Sequence, residues 1–215
     1  MAEGHGAVAH QFDDFAQQHE ASTLGMWAFL LTEVMFFGGM FLGYMIYRAS
    51  YPQAFAHASN HMDIILGTIN TGVLIASSLT VVLSVYAAHE NKQKALLTFL
   101  ALTVLLGLLF LGIKFTEYAH KFEEHLFPGL GFQYEGENPA QAAVFFSFYF
   151  AMTGVHALHM VIGIGIYMVL MFAAWRGRYS SHYFTPVEMA GLYWHFVDII
   201  WIFLFPLFYL LGRHQ

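Results

Sequence analysis

The chain has 215 residues, of which 58% are hydrophobic and 18% aromatic, while Asp, Glu, Lys and Arg make up only 10%. A soluble domain carries about 25% charged residues, so this composition excludes a soluble globular enzyme and a disordered protein. A net charge of −6 without a basic cluster excludes a nucleic-acid partner. The lack of cysteine excludes disulfides, thiolate metal sites and iron–sulfur clusters. The chain is therefore predicted to be a polytopic membrane protein.

Five apolar segments follow one another, and each is long enough to cross the ~30 Å hydrocarbon core of a bilayer as a helix. Their residues are continuously apolar rather than alternating, which favours helices over a membrane barrel. We predict an all-α fold, an integral membrane bundle of five transmembrane helices. It forms a single membrane domain, 1–215, that begins with a short acidic tail, 1–21. The spans are predicted at about 22–48, 61–89, 94–117, 139–174 and 186–212.

Charge alone does not orient the chain. Five spans place the two termini on opposite sides of the membrane, and each side then carries four Lys or Arg residues, so the positive-inside rule gives a tie. The first 20 residues contain three His and four acidic residues but no Lys or Arg. This pattern does not indicate a secretory or mitochondrial targeting peptide.

One carboxylate, Glu33, lies in the middle of the first span. A charge at the bilayer centre costs at least ~2.5 kcal/mol, so we expect this side chain to face protein. The second span offers a matching polar stripe at helical spacing, made of Asn70, Ser77, Thr80 and Ser84. Glu33 is then either a proton-handling or gating carboxylate, or a neutral side chain that ties two helices together by hydrogen bonds.

Two pairs of polar residues lie three positions apart in the last two spans: His156 with His159, and His195 with Asp198. Imidazoles ligate haem and metals, so one hypothesis is a cofactor site. The other is a hydrogen-bond network that locks the helices together. In a hairpin of these spans, His159 would lie ~22 Å and His195 ~13 Å from the shared end. These unequal depths favour the network.

Lys114 and Glu117, three residues apart at the end of the third span, are expected to form a solvated or interfacial pair.

Three segments carry a resemblance to a known family. They are Gly25–Phe37 (GMWAFLLTEVMFF), Phe148–Gly163 (FYFAMTGVHALHMVIG) and Tyr193–Phe205 (YWHFVDIIWIFLF). The chain resembles subunit III of the haem-copper terminal oxidases, in its short five-helix bacterial form. The resemblance covers about Ser22 to Gly212, and its last segment is close to a family signature.

The resemblance implies a non-catalytic integral subunit of an aerobic proton-pumping cytochrome c oxidase, with no catalytic and no metal-binding residue in this chain. Haem and copper are expected in partner subunits I and II, and bound phospholipid is expected on this one. It also implies further partners, subunit IV or a respiratory supercomplex, and a place in the bacterial cytoplasmic membrane with a cytoplasmic N-terminus and a periplasmic C-terminus. The position of Glu33 implies a proton-uptake or structural carboxylate. The residues assigned to an inter-helix polar network are His156, His159, His195, Asp198, Asn70, Ser77 and Thr80.

The chain departs from the longer family members, which have two further helices before the segment that begins at Gly25. A partner subunit would have to supply the missing wall of their lipid cleft. Four alternatives stay open. Two are related subunits: subunit III of a quinol oxidase and an accessory subunit of a nitric-oxide reductase. Two belong to a different class: a haem-binding membrane electron carrier and a small transporter.

Overall fold

The computed structural model describes residues 10–129, 131–134, 136, 138–179 and 183–211. The described residues form six α-helices and a π-helical turn: α1 (Phe15–Ser50), α2 (Pro52–Ser59), α3 (Ile64–His89), α4 (Gln93–Glu123), α5 (Pro139–Trp175), α6 (Thr185–Phe205) and the turn Pro206–Leu210. Five of them are long and apolar enough to cross a membrane, the last together with the turn. The predicted all-α membrane bundle is confirmed. The first nine residues of the predicted acidic tail, and Gly212 at the end of the fifth span, lie outside the described residues.

The bundle has two ends, because consecutive long helices cross in opposite directions. At the hairpin end lie the first residues of α1, α4 and α6 and the last residues of α3 and α5. The α2 end holds the short helix α2, which the apolar pattern does not predict, and the π-helical turn. Helices α1 and α5, with 36 and 37 residues, are ~54 Å long and extend past the hydrocarbon core or tilt within it.

The helix ends show how polar residues in the sequence set the turns. Asp63 caps α3 by accepting hydrogen bonds from the backbone N–H groups of Ile65 and Leu66, at 2.9 and 3.1 Å. At the other end of α3, Asn91 adopts a left-handed conformation with φ 58°. The N–H of the next residue, Lys92, then bonds back to the carbonyl of Ala87 at 2.8 Å, which closes the tight α3–α4 hairpin.

Helix α6 lies at the centre of the bundle, where it packs against α3, α5 and α1. Its two tryptophans, Trp194 and Trp201, are completely buried. Each indole N–H donates to a hydroxyl of α3, Trp194 to Ser77 and Trp201 to Thr71, both at 3.0 Å. Because a buried indole needs an acceptor, these two bonds fix the register of α6 against α3.

The π-helical turn begins where Pro206 interrupts the α-helical hydrogen bonding, since proline has no N–H to donate. Two of its carbonyls accept hydrogen bonds from other helices. The Tyr44 hydroxyl of α1 donates to the carbonyl of Leu207 at 2.8 Å, and the Ser59 hydroxyl of α2 donates to that of Phe208 at 3.0 Å. The π-helical turn therefore holds both α1 and α2 in place through hydrogen bonds.

Gly107 marks a tight crossing of the helices. A Cβ at this position would lie 2.8 Å from Cη2 of Trp194 and 3.1 Å from Cγ1 of Ile164. We expect Gly107→Ala to lower the midpoint of thermal unfolding in detergent, because forcing a methyl into a packed core costs about 1–3 kcal/mol. Gly112→Ala, on the same helix with nothing within 4 Å, is the matched control and should not lower it. Equal unfolding midpoints for the two variants would show that the helices at this crossing can move apart without loss of stability.

Candidate functional site

Glu33 of α1 and His159 of α5 meet near the middle of the two longest helices. The Glu33 Oε2 lies 3.2 Å from the His159 Nε2, and the side chains are 19% and 13% exposed. The Phe37 ring packs against the imidazole, with centroids 5.4 Å apart, and the Tyr193 hydroxyl donates to the His159 carbonyl at 2.9 Å. The pair is enclosed on the protein side and stays partly open at its edge.

The hydrogen bonds of His159 restrict where its protons can lie. Its Nδ1 is 2.9 Å from the carbonyl of Val155, which only accepts, so this nitrogen carries a proton. Nε2 then either accepts a proton from a neutral Glu33 carboxyl or, in an imidazolium, donates to a carboxylate. In both states one proton is shared between the two groups and the pair has no net charge. This arrangement lowers the cost of placing a carboxyl in the membrane.

The expectation that Glu33 faces the polar stripe of the second span is wrong. Helix α1 packs against α6, α5 and α2, and the stripe on α3 is turned toward α4 and α6. Asn70 Nδ2 donates to the carbonyl of Phe110 at 3.3 Å, and Thr80 Oγ1 lies 2.8 Å from Thr103 Oγ1. Hydropathy identifies the spans but does not give the order in which they pack around one another.

The four residues assigned to one network in the last two spans do not form one network: His195 and Asp198 line the same cavity as Ser78 of α3, and neither His156 nor His159 lines it. His159 contacts Glu33, whereas His195 Nδ1 lies 2.8 Å from the hydroxyl of Ser78 on α3. His156 is buried between the rings of Phe110 and Trp201, and its ring nitrogens have no hydrogen-bond partner in the described part of the chain.

Asp198 is 5% exposed, and its two oxygens likewise find no hydrogen-bond partner within the described residues. The Ser78 hydroxyl is near enough to interact with the carboxyl, but not in hydrogen-bonding geometry. Across the same part of the chain, no group of three His, Asp or Glu side chains is arranged to hold a metal ion. Of these polar residues, His159 and His195 each contact one polar side chain, whereas His156 and Asp198 have no hydrogen-bond partner within the described residues.

A second polar cluster surrounds Lys114 and Glu117, and the pair that was expected to be solvated or interfacial is buried inside the protein. The two residues are 2% and 1% exposed, with Lys114 Nζ 3.1 Å from Glu117 Oε2. The ammonium also donates to the hydroxyls of Tyr149 and Tyr209, at 3.0 and 2.8 Å. Both hydroxyls in turn donate to Glu117 Oε1, at 2.8 and 2.6 Å. The four side chains close a network in which each charge is compensated.

The sequence contains only a weak signal for this cluster. A Lys and a Glu three residues apart near the end of an apolar run are equally typical of a solvated face and of a buried pair. Helix α4 continues to Glu123, six residues beyond the predicted end of the span. The two tyrosines lie 35 and 95 residues further along the chain from Lys114, so only the fold brings them together.

A polar pocket of about 440 Å³ leads from the α2 end toward the Lys114 cluster. Glu117 lines its floor, and Asp63, His120 and Lys121 lie on its walls. Burial and the neighbouring Lys121 ammonium lower the pKa of His61 at the rim of the pocket, so this imidazole is neutral at pH 7. The buried Glu117 is therefore approached from the surface through polar side chains.

Removing one charge of the buried pair should be strongly destabilising. We expect Lys114→Met or Glu117→Leu to cost about 3–5 kcal/mol of unfolding free energy, because each leaves an uncompensated buried charge. The double variant should cost less than the sum, since no charge remains. Thermal unfolding in detergent measures the effect. Lys92→Met is the matched control, because Lys92 is 55% exposed and 3.7 Å from Glu90, and should cost under about 1 kcal/mol. Equal losses for Lys114→Met and Lys92→Met would contradict a role for the buried charge.

Comparison with known proteins finds one family across almost the whole chain. A sequence profile of the family cytochrome c oxidase subunit III matches residues 9–213. The chain is 34% identical over 209 residues to cytochrome c oxidase subunit 3 of Thermostichus vulcanus, covering 95% of this chain and 92% of that one. It is 32% identical over 202 residues to the probable quinol oxidase subunit 3 of Staphylococcus haemolyticus (strain JCSC1435), covering 93% and 94%.

The matched region, residues 9–213, spans all five long helices and includes Glu33, His159 and Asp198. The chain is thus a multi-pass membrane protein that belongs to the cytochrome c oxidase subunit III family of the haem-copper oxidases.

Proposed function

We propose that this chain is subunit III of an aerobic, proton-pumping cytochrome c oxidase in the bacterial cytoplasmic membrane, with its N-terminus in the cytoplasm and its C-terminus in the periplasm. In this proposal it packs beside subunits I and II, stabilises the catalytic subunit, supports proton uptake and binds phospholipid. The carrying observation is the family match over residues 9–213. The family is non-catalytic, and its cofactors lie in other subunits of the oxidase complex.

The Glu33–His159 pair supports the role in proton uptake. One proton is shared between the carboxyl and the imidazole, and the side chains keep 19% and 13% exposure at their edge. Such a pair is neutral while it holds the proton, and passing the proton to water or a neighbouring acid leaves one negative charge on the pair until another proton replaces it. We propose that the pair holds a proton near the surface of the catalytic subunit and also links α1 to α5.

An apolar cavity supports the binding of phospholipid. It has a volume of about 570 Å³ and lies between α4 and α5 near the hairpin end. Trp175 and Phe172 form part of its wall, and the Arg176 guanidinium lies 4.3 Å from the centre of the Phe172 ring. An acyl chain fits the apolar cavity, and the adjacent guanidinium at the helix end is suited to a lipid phosphate.

A specific observation favours a second candidate, subunit III of a quinol oxidase. The relative named as a probable quinol oxidase subunit is 32% identical, close to the 34% of the cytochrome c oxidase relative. Both candidates place the same chain in the same kind of complex and differ in the electron donor.

Variants of Glu33 separate its structural role from its proton role. An amide at this position keeps a hydrogen bond to His159 Nε2 but shares no titratable proton. We expect Glu33→Gln and Glu33→Ala both to leave the haem spectrum of the complex unchanged and both to shorten the time over which it sustains turnover. Only Glu33→Ala should also weaken assembly, because it removes the bond between α1 and α5.

Oxygen consumption by the purified complex measures this effect. Thr32→Ala is the control, since the Thr32 hydroxyl is exposed and bonds only to its own helix at the Phe29 carbonyl. If the Glu33→Gln complex sustained turnover for as long as the wild type, the proton role would be excluded and the structural role would remain.

Isolation of the chain from its native membrane tests the proposal as a whole. We expect haem- and copper-bearing subunits to co-purify with it, and a copper-binding subunit II among them would distinguish the cytochrome c oxidase from a quinol oxidase. The chain alone should show no Soret band and no substrate flux in liposomes. Isolation without any haem-bearing partner would contradict the proposal.

A further inference from the structure

A groove open to the surrounding membrane runs between α3 and α6. It consists of two adjoining cavities of about 450 and 380 Å³, and Val82 and His195 line both of them. Apolar side chains form most of its walls. The Ser78, His195 and Asp198 side chains come together in the larger cavity, and His89 and Glu188 line the smaller one.

Asp198 is the unusual residue of this groove. It is 5% exposed, it lines the cavity, and neither of its carboxyl oxygens accepts or donates a hydrogen bond within the described residues. It lies 13 residues after Thr185, ~20 Å along a membrane-spanning segment of 26 residues, which places it near the bilayer centre. A carboxyl at this depth without a partner is costly in either protonation state.

The depth of Asp198 decides which occupant fits the groove. Lipid headgroups stay at the membrane surface, and an acyl chain at this depth offers no hydrogen-bond donor or acceptor. A transmembrane helix brings polar side chains to the bilayer centre with its own backbone satisfied. The exposed apolar residues along the groove, Ile75, Leu79 and Ile202, are 59%, 60% and 50% exposed and offer a packing surface on both sides of the carboxyl.

We propose that the groove between α3 and α6 is the docking site for a transmembrane helix of another subunit, and that this helix presents a hydrogen-bonding side chain, such as Ser, Thr, Asn or Trp, to Asp198. This inference deepens the proposed function and depends on it. It assigns a second partner-facing side to the bundle, on α3 and α6, beside the one proposed for the Glu33–His159 pair on α1 and α5.

Site-directed photocrosslinking in the intact complex tests the proposal, and the chain suits the method because it contains no cysteine of its own. Leu79→Cys and Ile202→Cys are labelled with a thiol-reactive benzophenone in membranes and irradiated. The complex is then purified, its haem content measured and the adducts identified by mass spectrometry. We expect adducts with a transmembrane segment of another subunit. Adducts with phospholipid alone, in a complex with full haem content, would overturn the docking site and leave the proposed function standing.

Variants of Asp198 test the polar contact. In the Leu79→Cys chain, Asp198→Leu should lower the yield of the protein adduct about tenfold, as expected for the loss of one hydrogen bond to a buried carboxyl. Asp198→Asn keeps a donor and an acceptor and should retain most of the yield. Thr116→Leu is the control, because this exposed hydroxyl bonds only to the Gly112 carbonyl of its own helix. An unchanged yield of the protein adduct in Asp198→Leu would show that the carboxyl takes no part in binding the partner helix.

Discussion

The buried ion pair of Lys114 and Glu117 is the constraint around which the α2 end of the bundle is built. Because both side chains are buried, the ammonium and the carboxylate take their hydrogen-bond partners from the protein. Helix α5 supplies Tyr149 and the π-helical turn supplies Tyr209, so both elements must meet α4 at one point. A slip of either by one helical turn, ~5.4 Å, would leave a charge uncompensated. The pair therefore fixes the heights of three elements relative to one another.

The intramembrane polar groups fall into two kinds by where their partners lie. Some in the centre, such as the Lys114 cluster and the Ser77–Trp194 bond, are satisfied within the chain and hold the helices in register, whereas the buried His156 has no hydrogen-bond partner among the described residues. Those near the surface of the bundle, the Glu33–His159 pair and Asp198, keep an open edge or lack a partner among the described residues. Since a subunit meets its neighbours at its surface, we associate the first kind with folding and the second with function.

The sequence predicts an all-α bundle with five membrane-crossing helices, because the length and continuity of apolar segments directly reflect the thickness of a membrane. It does not predict partners. Glu33 was matched to a stripe on α3 but contacts His159 on α5, because hydropathy carries no information on the order of helices in a bundle. The pair of Lys114 and Glu117, expected to be solvated or interfacial, is buried, and the sequence does not show this because a spacing of three residues is the same in either surrounding. The short helix α2 has no apolar pattern that would predict it. Pro206 indicates an interruption of the helix, but the sequence alone does not show that a π-helical turn begins there.

The π-helical turn also has a consequence for biosynthesis. The chain is made from its N-terminus, so α1 enters the membrane first. Its neighbours, however, are α2, α5 and α6, and its Tyr44 is anchored to Leu207, 163 residues later. Between these events α1 has only lipid or another protein on most of its surface. The first helix inserted is therefore the last to be secured, and a nascent chain must protect Glu33 in the membrane until His159 of α5 has been made.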